Sequence, residues 1–364
     1  MTANNNTRPA ISVVIPCRNE KDHIKSCVRS ILGQEPPPGG FEIIVADGMS
    51  DDGTLEILEK IARDDRRLKI VDNPDRTTAH GMNAGIRQAR GRYIAIMGAH
   101  NHYASDYLRS SVEVLQETGA DNVGGSMACL GESRLQKAIA AAHHSPFAVG
   151  GARWHNMNYE GPADTVFGGV YRREVFDRIG LMDEELVRNQ DDEFNLRLTR
   201  AGGKIWHSPR IKSWYTPRGS LRALFQQYVQ YGYWKVRVIQ KHKLPASVRH
   251  LVPGCFVFSL LILALASFLW PPAFWLLLAL VTTYWLCNVA ASLPTAARNG
   301  PALFPFLPLV FAMYHFGYGF GFLRGIWDFV VLRRRPSRSY SKLTRTPAGA
   351  DSQNLSLTKR TPTQ

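Results

Sequence analysis

An abrupt change in composition after residue 250 sets the strongest limit on how this chain can fold. Residues 251–270, LVPGCFVFSLLILALASFLW, carry no charged side chain, and 20 such residues in a helix are long enough to cross a bilayer. A second apolar run, residues 271–292, follows at once, and its Pro271-Pro272 start predicts a tight hairpin between two spans. Trp270 at that turn is typical of a membrane–water interface. The sequence therefore predicts a membrane region that is added to a different kind of domain.

A third apolar stretch, residues 302–322, leaves the number of spans open between two and three. Prolines and glycines interrupt it, and basic residues flank it: Arg298 before it and the triple arginine 333–335 after it. Because basic flanks favour the cytoplasmic side, a full third span conflicts with the arginines that follow. The alternatives are a third span and a re-entrant or interfacial segment within a membrane region at 251–332. Residues 333–364 are expected to form a basic, disordered tail.

Charge and cysteine content fit a membrane protein with a cytoplasmic domain. The formal net charge of +14 would also suit nucleic-acid binding, but no recognition motif for it occurs, so no nucleic-acid partner is expected. The five cysteines are scattered, odd in number and without a CxxC pair, which predicts neither a disulfide framework nor a zinc site. Residues 1–10 are polar, lack the apolar segment of a signal peptide and are expected to be disordered. We predict a multi-pass protein of the cell membrane.

Between residues 11 and 219, apolar runs of strand length alternate with segments of helical periodicity. The four predicted strands are ISVVIP, FEIIVA, LKIVD and RYIAIM, and alternation of this kind favours a parallel sheet covered by helices on both faces. Each strand ends in polar residues: CRNE, DGMSDDG, DNPDR and GAHNH. Because sites in such sheets lie beyond the carboxyl ends of the strands, this edge is the predicted site. The absence of GxGxxG and GxxxxGK[ST] disfavours a dinucleotide fold and an ATPase loop.

Polar residues after the first two strands are the first candidates for ligand binding. Asp47 can accept the N3 proton of a uracil ring, and Gly48 lets the backbone approach a ligand. The alternative is an ordinary strand-to-helix turn in which Asp52 caps the next helix. Arg18 suits a phosphate, and Glu20 suits a ribose or the support of its own loop. The alternative for these two residues is a polar loop without a ligand.

Taken together, SVVIPCRNE, VADGMSDDGT and NAGIRQARGRYIAIM resemble family 2 glycosyltransferases, the inverting class with the GT-A fold. The resemblance extends through GGVYRREVFDRIGLMDEELVRNQDDEFNLRLTRAG and QYVQYGYWK. It covers residues 10–242 and is strongest to the succinoglycan-type exopolysaccharide glucosyltransferases. It implies a Rossmann-like GT-A domain at 11–219, with a mixed, mostly parallel sheet, and a nucleotide-sugar donor, most commonly a UDP-sugar. The residues implied to bind the donor are Pro16, Arg18, Glu20, Asp47, Gly48 and Ser50.

The resemblance also implies a general base, which an inverting transferase needs to remove the acceptor hydroxyl proton. In NQDDEFNLRL the acid–aspartate pair of the family falls on Gln190 and Asp191, so Asp191 is the implied base. Gln190 replaces the usual glutamate, and Asp192 is the alternative base. These acids also have a purely structural interpretation, since negative charge at a helix start is favourable.

The DxD motif, which holds a divalent metal in similar enzymes, falls on Gly98-Ala99-His100. Mn²⁺ or Mg²⁺ at this position would stabilise the leaving diphosphate. The first aspartate is absent here, although His100 and His102 are residue types that bind a cation through an imidazole nitrogen. The alternative is that both histidines are loop residues in an enzyme whose metal site is weakened or absent.

Residues 220–249 predict an amphipathic interfacial helix just before the membrane region. Within it, a short set of residues resembles the acceptor motif of the family, in which a tryptophan stacks on a sugar or flanks the acceptor. Basic residues that follow suit anionic lipid headgroups or the diphosphate of a polyprenyl carrier. The alternative is a helix that rests on the membrane surface. The residues implied for the acceptor or a diphosphate are Arg218, Gln227, Tyr231, Trp234 and Lys235.

These implications describe a membrane-anchored inverting glycosyltransferase. It would move a hexose, with glucose expected, from a UDP-sugar to a polyprenyl-diphosphate-linked or other glycan acceptor in exopolysaccharide or cell-envelope synthesis. A processive polysaccharide synthase is the alternative within this class, and the small number of spans disfavours it. A pseudo-enzyme that binds nucleotide or glycan without transfer is the alternative outside it. Gly98 and Gln190 favour the pseudo-enzyme, whereas Asp47 and Asp191 oppose it.

Overall fold

The computed structural model describes residues 8–340, except for Ser126, Ala246 and the side chain of Arg338. The disorder predicted for the two ends falls mainly on residues 1–7 and 341–364, which lie outside the described residues. Eleven strands occur in the described part of the chain. They are β1 (Ile11–Cys17), β2 (Phe41–Asp47), β3 (Leu68–Asp72), β4 (Tyr93–Ile96), β5 (His102–Tyr103), β6 (Asn122–Gly125), β7 (Met127–Cys129), β8 (Gly161–Pro162), β9 (Phe167–Arg172), β10 (Ile205–His207) and β11 (Ser213–Tyr215).

Eight of these strands form a mixed, mostly parallel sheet, as predicted. Their order is β3-β2-β1-β4-β9-β6-β10-β8, and β5, β11 and β7 form a separate small sheet. Strands β1 to β4 run parallel, whereas β9 runs antiparallel to both of its neighbours. The register places Cys17 beside Asp47, and Asp47 beside Asp72. The first three strands therefore end at one level, so the loops that follow them share one edge.

Helices cover both faces of the sheet because the side chains of each strand alternate between two cores. Val13 and Ile15 face α1, whereas Val14 and Ile44 face α3. Twelve α-helices occur in the described residues. They are α1 (Lys21–Leu32), α2 (Thr54–Asp64), α3 (Thr78–Gln88), α4 (Tyr107–Thr118), α5 (Arg134–His143), α6 (Pro146–Val149), α7 (Arg173–Ile179), α8 (Gln190–Arg200), α9 (Leu221–His242), α10 (Val252–Ala266), α11 (Pro271–Asn299) and α12 (Leu307–Gly325).

The C-terminal helices differ sharply in how they are packed. In the described residues, two helical segments are long and apolar enough to cross a membrane, Val248–Ala266 and Pro271–Asn299, and both are largely exposed. Proline occupies the first turn of α11, where it costs no helical hydrogen bond. By contrast, α12 has ten buried residues and packs along α9. The third apolar stretch is thus a helix packed within the protein.

Glycines let α12 lie directly against the backbone of α9. A Cβ atom at Gly321 would lie 2.0 Å from the carbonyl oxygen of Val229, and one at Gly232 would lie 2.1 Å from that of Tyr318. Real Cβ atoms do not approach that closely, so only glycine fits without backbone movement. Gly317 and Gly321, which looked like interruptions of a membrane span, therefore form with Gly232 the contact surface between α12 and α9, the glycine seam, whereas Gly319 faces α10.

Candidate active site

A cavity of about 600 Å³ lies where the carboxyl edge of the sheet meets the C-terminal helices. The α/β part contributes His100 after β4 and Asp191 at the start of α8. Helix α9 contributes Tyr231 and Lys235, and α12 contributes Tyr314. The cavity therefore has walls from both the α/β domain and the C-terminal region. It brings together predicted residues that are up to 135 positions apart in the chain, from His100 to Lys235.

The loop before α8 is tied to α9 by two side chains. Asn189, in the left-handed region at φ 62°, donates from Nδ2 to the carbonyl oxygen of Tyr231 at 3.0 Å. Asparagine tolerates that backbone conformation better than most residues. Arg188 donates from Nε to Oε1 of Gln230, also at 3.0 Å. These bonds fix the start of α8, and with it Asp191, relative to α9.

Two carboxylates and a lysine form the charged centre of the cavity. The Nζ of Lys235, which is 5% exposed, forms an ion pair with Oδ2 of Asp192. The side chain of Asp191 is open to the cavity but enclosed by its walls; this desolvation raises its pKa, and the Lys235 ammonium opposes the rise. Burial likewise lowers the pKa of Lys235 to about 8, with Asp191 opposing. Gln190, in place of the glutamate of the family, is buried and donates to the carbonyl oxygen of Val187.

The same geometry assigns different tasks to the two predicted acids. Asp192 is occupied by Lys235, whereas Asp191 has no ion pair in the described residues, and its Oδ1 accepts only the backbone N–H of Asp192. A carboxylate with a raised pKa and open space beside it can accept a proton from a hydroxyl. Asp191 therefore has the arrangement of a general base, and Asp192 that of the counter-ion of Lys235.

Two arginines add positive charge to the same cavity. Arg188 and Arg218 both line it. Burial lowers the pKa of Arg188, and the nearby Arg218 guanidinium lowers it further, while Tyr231 and Tyr215 act in the opposite direction. Like charges held together in a partly desolvated site repel each other, so this pair favours an anionic ligand.

The loops after β1 and β2 are bound to each other. Both oxygens of Asp47, which is 3% exposed, accept from Ser50: the backbone N–H at 3.0 Å and Oγ at 2.6 Å. Gly48 lies against Arg18, since a Cβ there would be 3.0 Å from the Cβ of Arg18. None of these residues, nor Pro16, is in the cavity lining. In this arrangement Asp47 stabilises the loop after β2. Its burial does not support the predicted contact with a uracil ring.

The turn after β4, which was predicted to hold a metal ion, contacts both the loop after β1 and the cavity. His100 lines the cavity, and its Nδ1 lies 3.1 Å from Oε1 of Glu20. His102 lies on β5, exposed, and is absent from the cavity lining. In the part of the chain that the structure describes, no group of three or more His, Cys, Asp or Glu side chains is arranged to hold a metal ion.

The turn is also packed around the missing aspartate. A Cβ at Gly98 would lie 2.5 Å from Nδ2 of Asn101, and the Gly98 N–H donates to the Tyr103 hydroxyl at 2.8 Å. An aspartate at this position would require Asn101, which is buried, to move. The donor set present therefore does not fit the metal site that His100 and His102 were predicted to form.

Helix α9 presents only part of the predicted acceptor motif to the cavity. Gln227 and Tyr231 line it, and Nε2 of Gln227 donates to the Tyr231 hydroxyl at 3.0 Å. Trp234 faces the other way. It is 1% exposed, packs near Phe329, and donates from Nε1 to the carbonyl oxygen of Tyr340 at 3.0 Å. A tryptophan so enclosed cannot stack on a sugar, so this prediction for Trp234 is corrected to a core position.

A neutral, aromatic wall completes the cavity at the side of α5. Burial lowers the pKa of His143 to about 3 and that of His155 well below its usual value, so these rings are uncharged at neutral pH. The rings of Trp154 and His155 lie 3.6 Å apart. Flat, uncharged rings beside a charged centre suit a ligand with both sugar and anionic parts.

Several lining residues carried no usable signal in the sequence. Arg188 precedes the acidic helix start and resembles an ordinary solvated charge. Trp154 and His155 lie on a short 3₁₀ turn, Arg153–His155, with no periodicity. Tyr314 lies in what looked like a membrane span.

The fold and the cavity together define a GT-A-type transferase domain, with acidic and basic groups at the carboxyl edge of a mixed sheet. The sequence profile "Glycosyl transferase family 2" matches residues 12–180. Succinoglycan biosynthesis protein ExoA from Rhizobium meliloti (strain 1021) is 33% identical over 347 residues, covering 92% of this chain and 99% of that protein. The chain therefore belongs to glycosyltransferase family 2, and it is a glycosyltransferase.

Two further similarities are more distant. The dolichyl N-acetyl-alpha-D-glucosaminyl phosphate 3-beta-D-2,3-diacetamido-2,3-dideoxy-beta-D-glucuronosyltransferase of Methanococcus voltae is 26% identical over 323 residues, covering 87% of this chain and 97% of that protein. The structure of mannosyltransferase PcManGT from Pyrobaculum calidifontis, in complex with GDP-Man and Mn²⁺, aligns with a TM-score of 0.54 at 21% identity, covering 88% of each chain. That likeness confirms the fold.

Proposed function

We propose that this glycosyltransferase transfers a hexose, with glucose expected, from a UDP-sugar to a lipid-linked saccharide at a membrane surface. The observation that carries the proposal is the composition of the cavity. A carboxylate suited to a base, Asp191, shares it with α9 and with a helix of the apolar C-terminal region, α12. The names of two relatives support the acceptor and pathway class, since one acts in succinoglycan biosynthesis and the other on a dolichyl-linked sugar.

In the proposed reaction, the acceptor hydroxyl attacks the anomeric carbon of the donor. Its proton goes to Asp191, a new carbon–oxygen bond forms, and the bond to the diphosphate breaks on the opposite face. The diphosphate leaves with the bonding electron pair, so negative charge grows on its oxygen. The raised pKa of Asp191 suits it to this task, because a stronger base takes the proton more readily.

The membrane arrangement follows from charge and packing. We propose that α10 and α11 form a hairpin of two spans, since both are apolar and largely exposed. Arg249 before the hairpin and Arg298 after it mark one side, which the basic-side preference makes the cytoplasm. Helix α12 packs on α9 without crossing, so the arginines at 333–335 stay on that same side, and the basic-side rule is satisfied throughout.

A divalent cation is left out of the proposed steps. A fold neighbour was solved with GDP-Man and Mn²⁺, but the donor set around Gly98 and His100 in this chain does not fit a metal of that kind. The proposed role of His100 is to contact the ligand directly while Glu20 orients its ring.

The test is transfer of label into lipid. Membranes that contain the protein are incubated with a panel of labelled UDP- and GDP-sugars, and the lipid fraction is extracted and counted. We expect one donor to label the lipid, and Asp191→Asn to lower that transfer by roughly 10²- to 10⁴-fold, the usual contribution of a general base. The exposed Asp177→Asn, outside the cavity lining, is the matched control and should transfer like the wild type.

Two results would contradict the proposal in different ways. Near-normal transfer by Asp191→Asn would remove the base assignment. Specific binding of a nucleotide sugar without transfer to any lipid fraction would favour the binding protein over the enzyme, which Gln190 in place of the glutamate makes a concrete alternative.

A further inference from the structure

Arg188 is a partly buried cation in the cavity wall, and no carboxylate in the described chain forms an ion pair with it. Its Nε donates a hydrogen bond to Oε1 of Gln230. No Asp or Glu oxygen of the described residues lies within 4.0 Å of its nitrogens. Arg197, about two turns after the start of α8, shows the usual arrangement, with Glu193 at 2.8 Å. Burying a guanidinium without a counter-ion is costly, so a position of this kind is expected to meet an anion.

Arg188 also lines the same cavity as His100, which belongs to the turn that would carry the metal ligands. The ring of Tyr215 lies 6.1 Å from that of His100, centroid to centroid. The same tyrosine lies close enough to Arg188 to raise the pKa of its guanidinium. Arg218 lies close enough to lower that pKa. Arg188, Tyr215, Arg218 and His100 all line the same cavity. Positive charge is therefore concentrated in the cavity that His100 lines, in a chain whose metal turn lacks the first acidic ligand of the family.

We propose that Arg188, with Arg218, binds the diphosphate of a substrate and supplies the positive charge that a carboxylate-held metal ion supplies in related enzymes. Guanidinium groups match phosphate oxygens in pairs, which an ammonium group does not. In the transfer step the bond between the anomeric carbon and the diphosphate oxygen breaks, and its electron pair stays on that oxygen. The two guanidiniums stabilise the negative charge that develops there. This inference rests on the proposed function for its reaction, but not for its binding test.

The diphosphate has two possible sources, the nucleotide of the donor and the lipid carrier of the acceptor. The full-length protein in detergent is therefore titrated, in the presence of EDTA, with UDP, with GDP and with a short-chain prenyl diphosphate. The variants are Arg188→Gln, which removes the charge, and Arg188→Lys, which keeps it. Arg222→Gln, exposed on the first turn of α9 and outside the cavity lining, is the matched control.

We expect Arg188→Gln to weaken the binding of one of the diphosphates by roughly 10- to 100-fold, because a charge-assisted pair of hydrogen bonds is lost. Arg188→Lys should lose less, and Arg222→Gln should bind like the wild type. A loss for UDP or GDP assigns the site to the donor, and a loss for the prenyl diphosphate assigns it to the acceptor. Either result supports the inference.

Two outcomes overturn it. The first is that Arg188→Gln binds every diphosphate like the wild type. The second is that EDTA abolishes wild-type binding of the nucleotides and Mn²⁺ restores it equally in Arg188→Gln. If Arg188→Gln does not fold, as judged by its thermal unfolding, Arg218→Gln and Arg188→Lys are titrated instead. Wild-type binding of every diphosphate by both variants then overturns the inference. Because the assay measures binding alone, its failure is distinct from a failure of transfer by the wild type.

Discussion

Lys235 gives the proposed reaction a pH limit that a single substitution should remove. Its ammonium pairs with Asp192 and stands near Asp191, so the charged centre of the cavity holds two negative charges and one positive charge. When Lys235 loses its proton, the two carboxylates lose the ammonium that lies between them, in a cavity that must admit an anionic diphosphate in the proposed reaction. Transfer should therefore fall as the pH rises through the pKa of Lys235.

The magnitude follows from that pKa. Burial places the pKa of Lys235 at about 8, so the charged fraction is roughly nine-tenths at pH 7 and roughly one-tenth at pH 9. We expect kcat/KM of the wild type to fall about tenfold per pH unit above pH 8. Arginine stays protonated throughout this range, so Lys235→Arg should keep kcat/KM nearly constant between pH 7 and pH 9.

The assay is the initial rate of labelled-lipid formation at fixed, subsaturating donor between pH 6 and pH 10. Lys241→Arg is the matched control because Lys241 lies on the same helix, pairs with Asp183 and Glu185, and has a raised pKa. The control should show the alkaline fall of the wild type. If Lys235→Arg also shows an unchanged alkaline fall, some other group sets that limit and the reasoning about Lys235 is wrong.

Three further predictions concern the base, the glycine seam and the core. The transfer rate should also fall on the acid side, at a pH above the ordinary range of an aspartate, because the raised pKa of Asp191 protonates the base early; a wild-type rate that stays flat down to pH 4 would contradict this. Gly321→Ala should lower the thermal unfolding midpoint and the free energy of unfolding by about 1–3 kcal/mol through overpacking, whereas Gly219→Ala, with its nearest neighbour at 3.9 Å, should not. Trp234→Phe should cost about 1–2 kcal/mol through the lost bond to Tyr340 yet transfer sugar normally; a stable variant without transfer would restore a role in the acceptor site.

The sequence predicted the first half of the sheet closely, because its strands are continuous apolar runs. Strands β1 to β4 begin and end within two residues of the predicted segments. Strand β9 was not predicted. Its FGGVYR segment is short and has two glycines, and its antiparallel pairing with β4 and β6 depends on residues far away in the chain. Pairing between distant segments leaves little local trace, which is why the mixed character of the sheet had to come from the family resemblance.

The candidate site divides in the same way. Asp191 was found by counting within a motif, and its position at the start of α8 is confirmed. Trp234 and Lys235 are adjacent in one motif, yet one is in the core and the other in the cavity, because successive helical residues point in directions about 100° apart. The packing of α12 on α9 was hidden, since glycines in an apolar run resemble interruptions of a span as readily as a surface for close contact.

The glycine seam has a consequence for how this enzyme can diversify. Because the glycine seam brings α12 directly against the backbone of α9, α12 cannot slide or be replaced without disturbing the helix that carries Tyr231 and Lys235. Three residues of α12, Tyr314, His315 and Tyr318, also line the cavity. The C-terminal region and the transferase domain therefore build the walls of one cavity together. A chimera that exchanges only the domain before α10 for that of a relative would be expected to carry mismatched halves of the acceptor wall.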